Sequence, residues 1–492
     1  MLFNSFIFLL FLPIVFGLYW LILYPRDRSA RIPHWRLWLQ NLAIVVASYV
    51  FYGWWDWRFL LLMTFTSLWA FFSGCALRKV TYKGTTAKWI LASALVVNLG
   101  ILGVFKYYNF FMDQAVVLLN AIGFQAHPTS LQIILPVGIS FYTFQALSYV
   151  IDVYRNDLKP TRNVVAFLAF VSFFPQLVAG PIERATNLLP QFQRPRYFNY
   201  LMAVEGCRQM LWGFFKKLVV ADNCATIANA VFTYPGEVGG IPIAVGALAF
   251  TFQIYGDFSG YSDIAIGCSK LFGIRLMRNF NMPYFSRDIA EFWRRWHISL
   301  TTWFRDYLYI PLGGSRCGTW KKVRNTFVIF TVSGLWHGAN WTFVAWGVFH
   351  AVCFLPLLVR GKNRRYVGGT VAEGRWFPNF GELWRMGLTF VVVVVGWMIF
   401  RAPDMGTFWE WMSRLVTAPQ DMTGFPRSLG VKACVGAVAV MLALEWCTRG
   451  QAFPLARMPG PRVVRWILYL LALAALFWFS ASSGSEFIYF QF

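Results

Sequence analysis

A chain of 492 residues that is 58 % hydrophobic and only 13 % charged has more apolar surface than a soluble core can bury. Lipid must therefore act as its solvent, and a bilayer needs about 20 apolar residues for each helical span. Open sheets are excluded, because their unpaired backbone groups would lie in hydrocarbon. The composition thus predicts an all-α polytopic membrane protein.

The net charge of +23 could indicate a nucleic-acid partner, but the basic residues lie in short segments between apolar runs. This distribution indicates membrane topology, so we expect lipid and no nucleic acid as a partner. The eight cysteines occur singly, with no CxxC pair and no Cys/His cluster at zinc spacing. We interpret them as small core residues and expect neither a metal site nor a disulfide framework.

The apolar runs predict about 11 transmembrane helices within one integral-membrane domain, 1–492. The first run, 2–24, is expected to be a retained span, because no Lys or Arg precedes it and no cleavage site follows. The run 163–180 is short, is broken at Phe174-Pro175 and ends at Gly180-Pro181, which favours a re-entrant segment. The run 326–359 is too long for one span and contains Gly334 and Gly338, so we expect two crossings that meet near His337.

Alternation from an external N-terminus then places nearly all 44 Lys and Arg residues on one side, which the positive-inside rule assigns to the cytoplasm. Both termini face outward in this topology. Its exceptions are Arg58, Lys106, Arg401, Arg414, Arg427 and Lys432.

The largest cytoplasmic stretch is 270–325, a basic segment in which aromatic residues alternate with arginines at helical spacing. This pattern predicts helices that lie in the membrane interface. The segment could anchor the chain to anionic lipid, or it could form a cationic wall for a donor that carries phosphates. In the second case the candidate donor-binding residues are Arg294, Arg295 and Arg305.

His337 is the first candidate for catalysis. It lies about twelve residues into its apolar run, roughly 18 Å deep and near mid-bilayer. Packing and one hydrogen bond could explain a neutral histidine there, but Trp336 and Asn340 offer an apolar wall and a polar partner. An imidazole suits proton transfer near neutral pH, as a hydroxyl acceptor needs when it attacks an acyl group.

Two further residues have open alternatives. His297, in the basic segment, is either a residue at the lipid headgroup level or a second catalytic histidine. Asp257 could orient a histidine or pair with an arginine of 270–325. Gly256 and Gly260 near it form a GxxxG spacing that permits close helix approach. Ser333 lacks a GxSxG context, so direct transfer is simpler than an acyl-enzyme.

Several segments together resemble the bacterial alginate O-acetyltransferase subgroup of the membrane-bound O-acyltransferase (MBOAT) family. The resemblance extends over nearly the whole chain. The segments that carry it are 6–19, 135–145, 255–263, Arg295-Trp296-His297-Ile298-Ser299-Leu300, Leu335-Trp336-His337-Gly338 and the terminal Phe487-Ile488-Tyr489-Phe490-Gln491-Phe492.

The resemblance implies a ring of helices around a membrane-depth funnel or tunnel, with His337 as the main catalytic residue and His297 as its partner. It implies acetyl transfer from a cytoplasmic thioester such as acetyl-CoA to an exported polysaccharide of the alginate or cellulose type. No permanently bound cofactor is expected. Periplasmic or envelope acetylation proteins would be partners, and the location would be the bacterial inner membrane.

Three other functions stay open at this point. The chain could relay the acyl group to a periplasmic transferase through a covalent intermediate. It could transfer D-alanine from an acidic carrier protein, which the basic cytoplasmic face would equally suit. It could also be a transporter of polymer or precursor without chemistry, although no inverted repeat is visible in the sequence.

Overall fold

The computed structural model describes residues 1–23, 34–127, 131, 133–234, 236–425, 430–458, 460–480 and 487–488. The regular structure in these residues is helical, and they contain no strand. This agrees with the predicted all-α class. Arg26, Arg427 and residues 489–492 of the terminal motif lie outside the described residues.

The chain forms two compact units, and the single domain 1–492 stays a prediction. The first unit consists of residues 1–206 and 265–277. Its helices are α1 (Phe6–Leu23), α2 (His34–Gly53), α3 (Arg58–Leu77), α4 (Thr85–Ala121), α5 (Ile139–Arg155), α6 (Val164–Ser172), α7 (Phe174–Leu177), α8 (Ala185–Phe192) and the start of α9 (Tyr200–Phe214).

The second unit consists of residues 207–264 and 278–492, as far as they are described. A π-helical segment, Phe215–Ala221, continues α9, and a second one, Arg305–Tyr309, continues α13. The helices of this unit are α10 (Asp222–Phe232), most of α11 (Gly240–Leu271), α12 (Ile289–Arg295), α13 (Ile298–Phe304), α14 (Thr319–His337), α15 (Trp341–Val359), α16 (Phe380–Arg401), α17 (Met405–Thr417), α18 (Val431–Cys447) and α19 (Arg462–Phe479).

Six helices in the described part of the chain are long and apolar enough to cross a membrane, namely α3, α4, α11, α15, α16 and α19. A shorter apolar helix covers Phe6–Leu21. They differ in environment, since 72 % of the apolar window of α11 is buried inside the protein and none of that of α19 is. The chain is therefore a multi-pass membrane protein, with α11 inside the second unit for most of its length.

The run 163–180 is broken, as Pro175 predicts. Helix α6 ends at Ser172, and the short α7 begins two residues later with Pro175 in its first turn. Proline has no backbone N–H and a fixed φ, so it is tolerated at a helix start and not in its interior. Neither helix is long enough to cross a bilayer. Re-entry of this segment into the membrane stays a prediction.

The run 326–359 forms two helices, α14 and α15, and the break falls at residues 338–340 beside His337. The position of the break is as predicted, but Gly334 does not interrupt the helix. It lies inside α14, where a Cβ would collide with the carbonyl oxygen of Phe343. Gly334 thus permits close packing of the two helices, and only Gly338 lies at the break.

The GxxxG spacing of α11 has the predicted effect. A Cβ on Gly256 would meet the carbonyl oxygen of Lys216 at 2.9 Å, and one on Gly260 would meet that of Gly213 at 2.8 Å. The backbone that precedes α10 therefore packs directly on this face of α11, as small residues at helix interfaces allow.

The basic segment 270–325 does form short helices, but three of its tryptophans pack against protein and not against lipid, and the location of the segment in the membrane interface stays a prediction. Trp293, Trp296 and Trp303 are buried within the protein. The ring of Trp296 packs 4.8 Å from that of Trp397, and the ring of Trp293 packs 5.5 Å from that of Trp346. Their helical spacing reflects contacts with other helices of the second unit.

The interpretation of all cysteines as core residues is wrong for at least two of them, because Cys207 and Cys447 are exposed. Cys224 of α10 and Cys434 of α18 are buried, and their sulfur atoms lie 3.2 Å apart. Sequence spacing could not indicate this pair, since 210 positions separate the two residues.

Candidate active site

His297 occupies the turn between α12 and α13. Two backbone hydrogen bonds hold this turn against the segment before α12, from Asn281 N–H to the Arg295 carbonyl (2.9 Å) and from Ile298 N–H to the Asn279 carbonyl (2.9 Å). His297 adopts φ 42° in the left-handed region. For a residue other than glycine this conformation costs about 1–2 kcal/mol, which the paired segments must offset.

Asn279 places its side-chain amide beside this histidine. Its Oδ1 accepts hydrogen bonds from the Ser299 hydroxyl (2.8 Å) and the Ser299 backbone N–H (3.3 Å), and it lies 3.1 Å from His297 Nδ1. Its Nδ2 donates to Ser262 Oγ at 3.1 Å. All four residues are buried, so the amide orders both the turn and the imidazole.

Aromatic rings surround His297. The ring of Phe258 lies 4.6 Å away, edge to face, and the rings of Phe280 and Trp336 lie 6.4 and 6.1 Å away. The histidine is 1 % exposed. Burial lowers its pKa to about 3, so the imidazole is neutral at physiological pH. It is part of the protein interior, and a catalytic role stays a prediction.

His337 is the last residue of α14 and is also buried. Its ring contacts those of Trp336 (5.0 Å), Trp346 (5.2 Å) and Phe400 (5.5 Å). Its centroid is 6.5 Å from that of His297. The fold therefore brings together two histidines that are 40 positions apart, among buried aromatic rings.

The two neighbours of His337 that the sequence singled out have different positions. Trp336 is buried and its ring contacts both imidazoles, while its supporting role in catalysis stays a prediction. Asn340 begins α15, where its Oδ1 accepts from Thr342 N–H (3.1 Å) and its Nδ2 donates to the Pro403 carbonyl (2.9 Å). These bonds make Asn340 a helix cap, which leaves its suggested role beside the imidazole a prediction.

Asp257 pairs with a cation, but that cation is a lysine and not an arginine of 270–325. Its Oδ1 is 2.9 Å from Lys217 Nζ, which also lies 2.7 Å from Asp222 Oδ1. Its Oδ2 accepts a hydrogen bond from Ile488 N–H at 2.8 Å. The wider turn of the π-helical segment 215–221 lets two consecutive lysines, Lys216 and Lys217, both be buried.

Arg294 and Arg295 of α12 contact the loop 360–379. Arg294 donates to the backbone carbonyls of Asn363 (2.8 Å) and Tyr366 (3.2 Å). Arg295 forms a buried ion pair with Glu291 at 2.8 Å and donates to a carbonyl of the same loop. Both guanidinium groups thus hold the loop against α12, and their suggested contact with a donor stays a prediction.

Arg305 differs from these two arginines, because its side chain is 57 % exposed. It pairs with the neighbouring Asp306 at 2.6 Å. Such an exposed pair contributes little to stability and can exchange for another anion. Of the three suggested donor-binding residues, Arg305 is the one that solvent can reach most freely.

Asn279 and Trp346 are site residues that the sequence analysis missed. A lone asparagine 18 positions before His297 carries no local signal, because backbone pairing of separate segments brings it there. A third buried histidine, His350, lies one helical turn beyond Trp346, with its ring 5.1 Å away. The i, i+4 spacing on α15 could have indicated their contact. His350 is a natural comparison for His337.

No group of three or more His, Cys, Asp or Glu side chains in the described part of the chain is arranged to hold a metal ion. The two imidazoles, with ring centroids 6.5 Å apart, are the groups at this site that can carry a proton near neutral pH. A neutral imidazole can take a proton from a hydroxyl and return it to a leaving group.

Comparison with known proteins supplies the family. Residues 158–365, which include both histidines, match the sequence model of the membrane-bound O-acyltransferase family, MBOAT. The chain is 38 % identical to the "Probable alginate O-acetylase AlgI" of Pseudomonas putida over 100 % of both chains.

Two further relatives have similar coverage. The chain is 42 % identical to the protein of the same name from Pseudomonas aeruginosa, over 83 % of this chain and 74 % of the relative. It is 33 % identical to a "Peptidoglycan O-acetyltransferase" of Helicobacter pylori, over 82 % of this chain and 78 % of the relative. On these matches the chain belongs to the membrane-bound O-acyltransferase family, and it is an O-acyltransferase.

Proposed function

We propose that this chain moves an acetyl group from a cytoplasmic thioester across the membrane for O-acetylation of an exported polysaccharide, with His337 as the catalytic base. The observation that carries the proposal is the convergence of His337 and His297, two buried residues whose ring centroids lie 6.5 Å apart. The relatives named for alginate and peptidoglycan O-acetylation favour a polysaccharide as acceptor.

The reaction needs one proton carrier. His337 takes the proton of the acceptor hydroxyl as its oxygen forms a bond to the acyl carbon of the thioester. The carbon–sulfur bond then breaks, and the imidazolium returns the proton to the leaving thiolate. The products are an ester and a free thiol. A positioned general base of this kind contributes about 10²–10⁴-fold to rate. His297, with its ring centroid 6.5 Å from that of His337, positions the reactants.

Acetyl-CoA is the donor that the proposal favours, bound as a substrate and not as a resident cofactor. Its phosphates would lie under the basic segment 270–325, and the exposed Arg305 is the best placed of the three suggested arginines to contact them. The location follows as the bacterial inner membrane, with lipid around the protein.

The proposal includes about 11 spans around a funnel or tunnel at membrane depth. Contacts in the second unit support the proposed sidedness. Gly239 and Gly240, from one predicted outer loop, donate to carbonyls of Thr423 and Ala418 in another. On the predicted inner side, Arg294 of the basic segment donates to the loop 360–379. Periplasmic or envelope proteins that complete delivery to the polymer are the proposed partners.

The test uses membranes that contain wild-type protein or the His337→Ala variant, supplied with acetyl-labelled CoA, candidate polysaccharides and periplasmic extract. We expect label on the polymer with wild type only. A correctly inserted His337→Ala variant that acetylates the polymer at the wild-type level would exclude His337 as the catalytic base.

Other outcomes separate the alternatives. Label trapped covalently on this chain would indicate an acyl relay. Transfer only with a D-alanyl carrier protein would indicate a different donor. Movement of polymer without any ester formation, in the variant as well, would indicate a transporter.

A further inference from the structure

The orientation of the Asn279 amide can be fixed without reference to the histidine. The backbone N–H of Ser299 can only donate, and it points at one atom of the amide at 3.3 Å. That atom must therefore be the oxygen, and the amide nitrogen faces Ser262 Oγ at 3.1 Å. The group that lies 3.1 Å from His297 Nδ1 is thus an acceptor.

An acceptor beside Nδ1 fixes the tautomer of His297. A carbonyl oxygen has no hydrogen to give. The Ser299 hydroxyl lies 3.4 Å from the same Nδ1 but is closer to Asn279 Oδ1, at 2.8 Å, and donates its hydrogen there. The neutral imidazole therefore carries its hydrogen on Nδ1 and a lone pair on Nε2. In this state His297 cannot donate a hydrogen bond to the thioester carbonyl. It can only accept one from a bound substrate.

We propose that Asn279 is a positioning residue that holds His297 in the Nδ1–H tautomer, so that Nε2 accepts a hydrogen bond from a second hydroxyl of the acceptor. This step rests on the proposed function, in which the reacting hydroxyl gives its single proton to His337. Two neighbouring hydroxyls of a sugar ring would each bond one imidazole nitrogen at about 2.8 Å, which the 6.5 Å between the ring centroids permits. The acceptor class is therefore a vicinal diol.

Ring-nitrogen-labelled histidine in the full chain, reconstituted in lipid nanodiscs, tests the tautomer by ¹⁵N NMR. The His297→Gln variant identifies the signal. We expect a neutral ring that is protonated on Nδ1, and loss of that preference in Asn279→Leu. The control Ser262→Ala removes only the bond to the amide nitrogen and should keep the tautomer. A wild-type ring protonated on Nε2 would overturn the assignment.

Kinetics test the role in recognition with two acceptors, one with adjacent hydroxyls and one that lacks the neighbour. We expect Asn279→Leu to slow transfer to the diol by about 10–100-fold and to change transfer to the single hydroxyl little. Equal losses on both acceptors would show that Asn279 only supports the fold. If wild type transfers to neither, the proposed function fails, while the NMR result still decides the tautomer.

A second inference concerns the buried thiols Cys224 and Cys434, which lie on α10 and α18 with their sulfurs 3.2 Å apart. A disulfide needs a separation of about 2.05 Å, so a shift of roughly 1 Å would join them. The predicted topology places the start of both helices near the outer face, where bacterial envelopes are oxidising.

We infer that these two thiols are a cross-linking site between α10 and α18. Each thiol loses a proton, one sulfur–sulfur bond forms, and the two electrons reduce the disulfide of an oxidising dithiol carrier to two thiols. The bond would fix α18 where its Glu445 accepts a hydrogen bond from Tyr255 of α11 at 2.7 Å.

Peptide mass spectrometry under non-reducing conditions tests the cross-link in membranes that are trapped with N-ethylmaleimide before lysis. We expect a Cys224–Cys434 linked peptide, absent from Cys224→Ser, with the exposed Cys207 and Cys447 alkylated as internal controls. Alkylation of Cys224 and Cys434 in the denatured protein, even after treatment of the membranes with oxidised glutathione, would overturn the inference.

Discussion

The pair of histidines, His297 and His337, and the basic segment 270–325 are the two regions that stand out in the sequence. Their side chains make different kinds of contact in the structure. His297 and His337 converge within 6.5 Å, and the described aromatic rings in contact with them belong to the second unit. The arginines of α12 instead bind backbone carbonyls of the loop 360–379. Histidine, which is rare in this apolar chain, thus indicated the candidate site. The arginines of α12 belong to the most basic segment, but they hold a loop in place.

The largest effect is expected from the histidines themselves. His337→Gln should lower the rate of acyl transfer by about 10²–10⁴-fold, because the proton has no other carrier in the proposed reaction. His350→Leu is the matched comparison, since His350 is equally buried and contacts the same Trp346. We expect it to retain activity within about tenfold of wild type. Equal losses in rate assays on both correctly inserted variants would contradict a special role for His337.

The buried ion cluster of Lys217, Asp222 and Asp257 should affect folding rather than chemistry. Lys217→Met leaves Asp222 and Asp257 buried without their shared cation, which costs about 3–5 kcal/mol or more. We expect low yield of folded protein and a lower thermal midpoint in detergent. The milder Asp257→Asn keeps the Lys217–Asp222 pair and serves as the control. A stable but inactive Lys217→Met variant would instead place this cluster in the reaction.

Acid should destabilise the protein through His297. Its pKa is about 3 in the folded chain against 6.5 when exposed, so between these values only the unfolded chain takes up the proton. The contribution to stability is present above pH 6.5 and is lost as the pH falls, by up to about 1.4 kcal/mol per pH unit. Thermal unfolding at pH 4–7 should therefore depend less on pH in His297→Gln. Identical slopes for both proteins would contradict the burial argument.

The smallest effect is expected at the exposed end of the basic segment. Arg305→Gln should raise the KM for a phosphate-bearing donor by about 3–10-fold, without loss of stability, because its pair with Asp306 is exposed. Arg295→Gln should do the reverse, with a lower thermal midpoint and little change in KM. The reason is that Arg295 binds Glu291 and a loop carbonyl in the interior. If Arg295→Gln raised the KM and Arg305→Gln did not, the result would indicate that the donor binds at α12 and not at Arg305.

Some features of the fold follow from local sequence patterns. Pro175 predicts the interruption of the run 163–180, and the length of the run 326–359 predicts a break near His337. Gly256 and Gly260 predict close backbone packing on α11. These predictions succeed because each depends on a local property: the length of an apolar run, the closed ring of proline or the missing side chain of glycine.

Other features could not be predicted locally. The partner of Asp257 is Lys217, which the π-helical turn rotates toward the interior, and not a cation from the segment with the most positive charge. Trp293 and Trp296 have the spacing of interfacial residues but are covered by other helices. Whether a side chain meets lipid or protein depends on what packs against it, and the residue alone does not carry that information.

The sequence by itself determined the all-helical membrane class, the family and the two histidines, because hydrophobic run length and rare polar residues within apolar stretches are local properties. Only the tertiary structure decided that the two imidazoles lie 6.5 Å apart and that Asn279 Oδ1 lies 3.1 Å from His297 Nδ1. It also decided that the arginines of α12 bind a loop and that Cys224 meets Cys434. These are contacts between segments distant in the chain, and they arise only when the packed helices fix the position of each backbone.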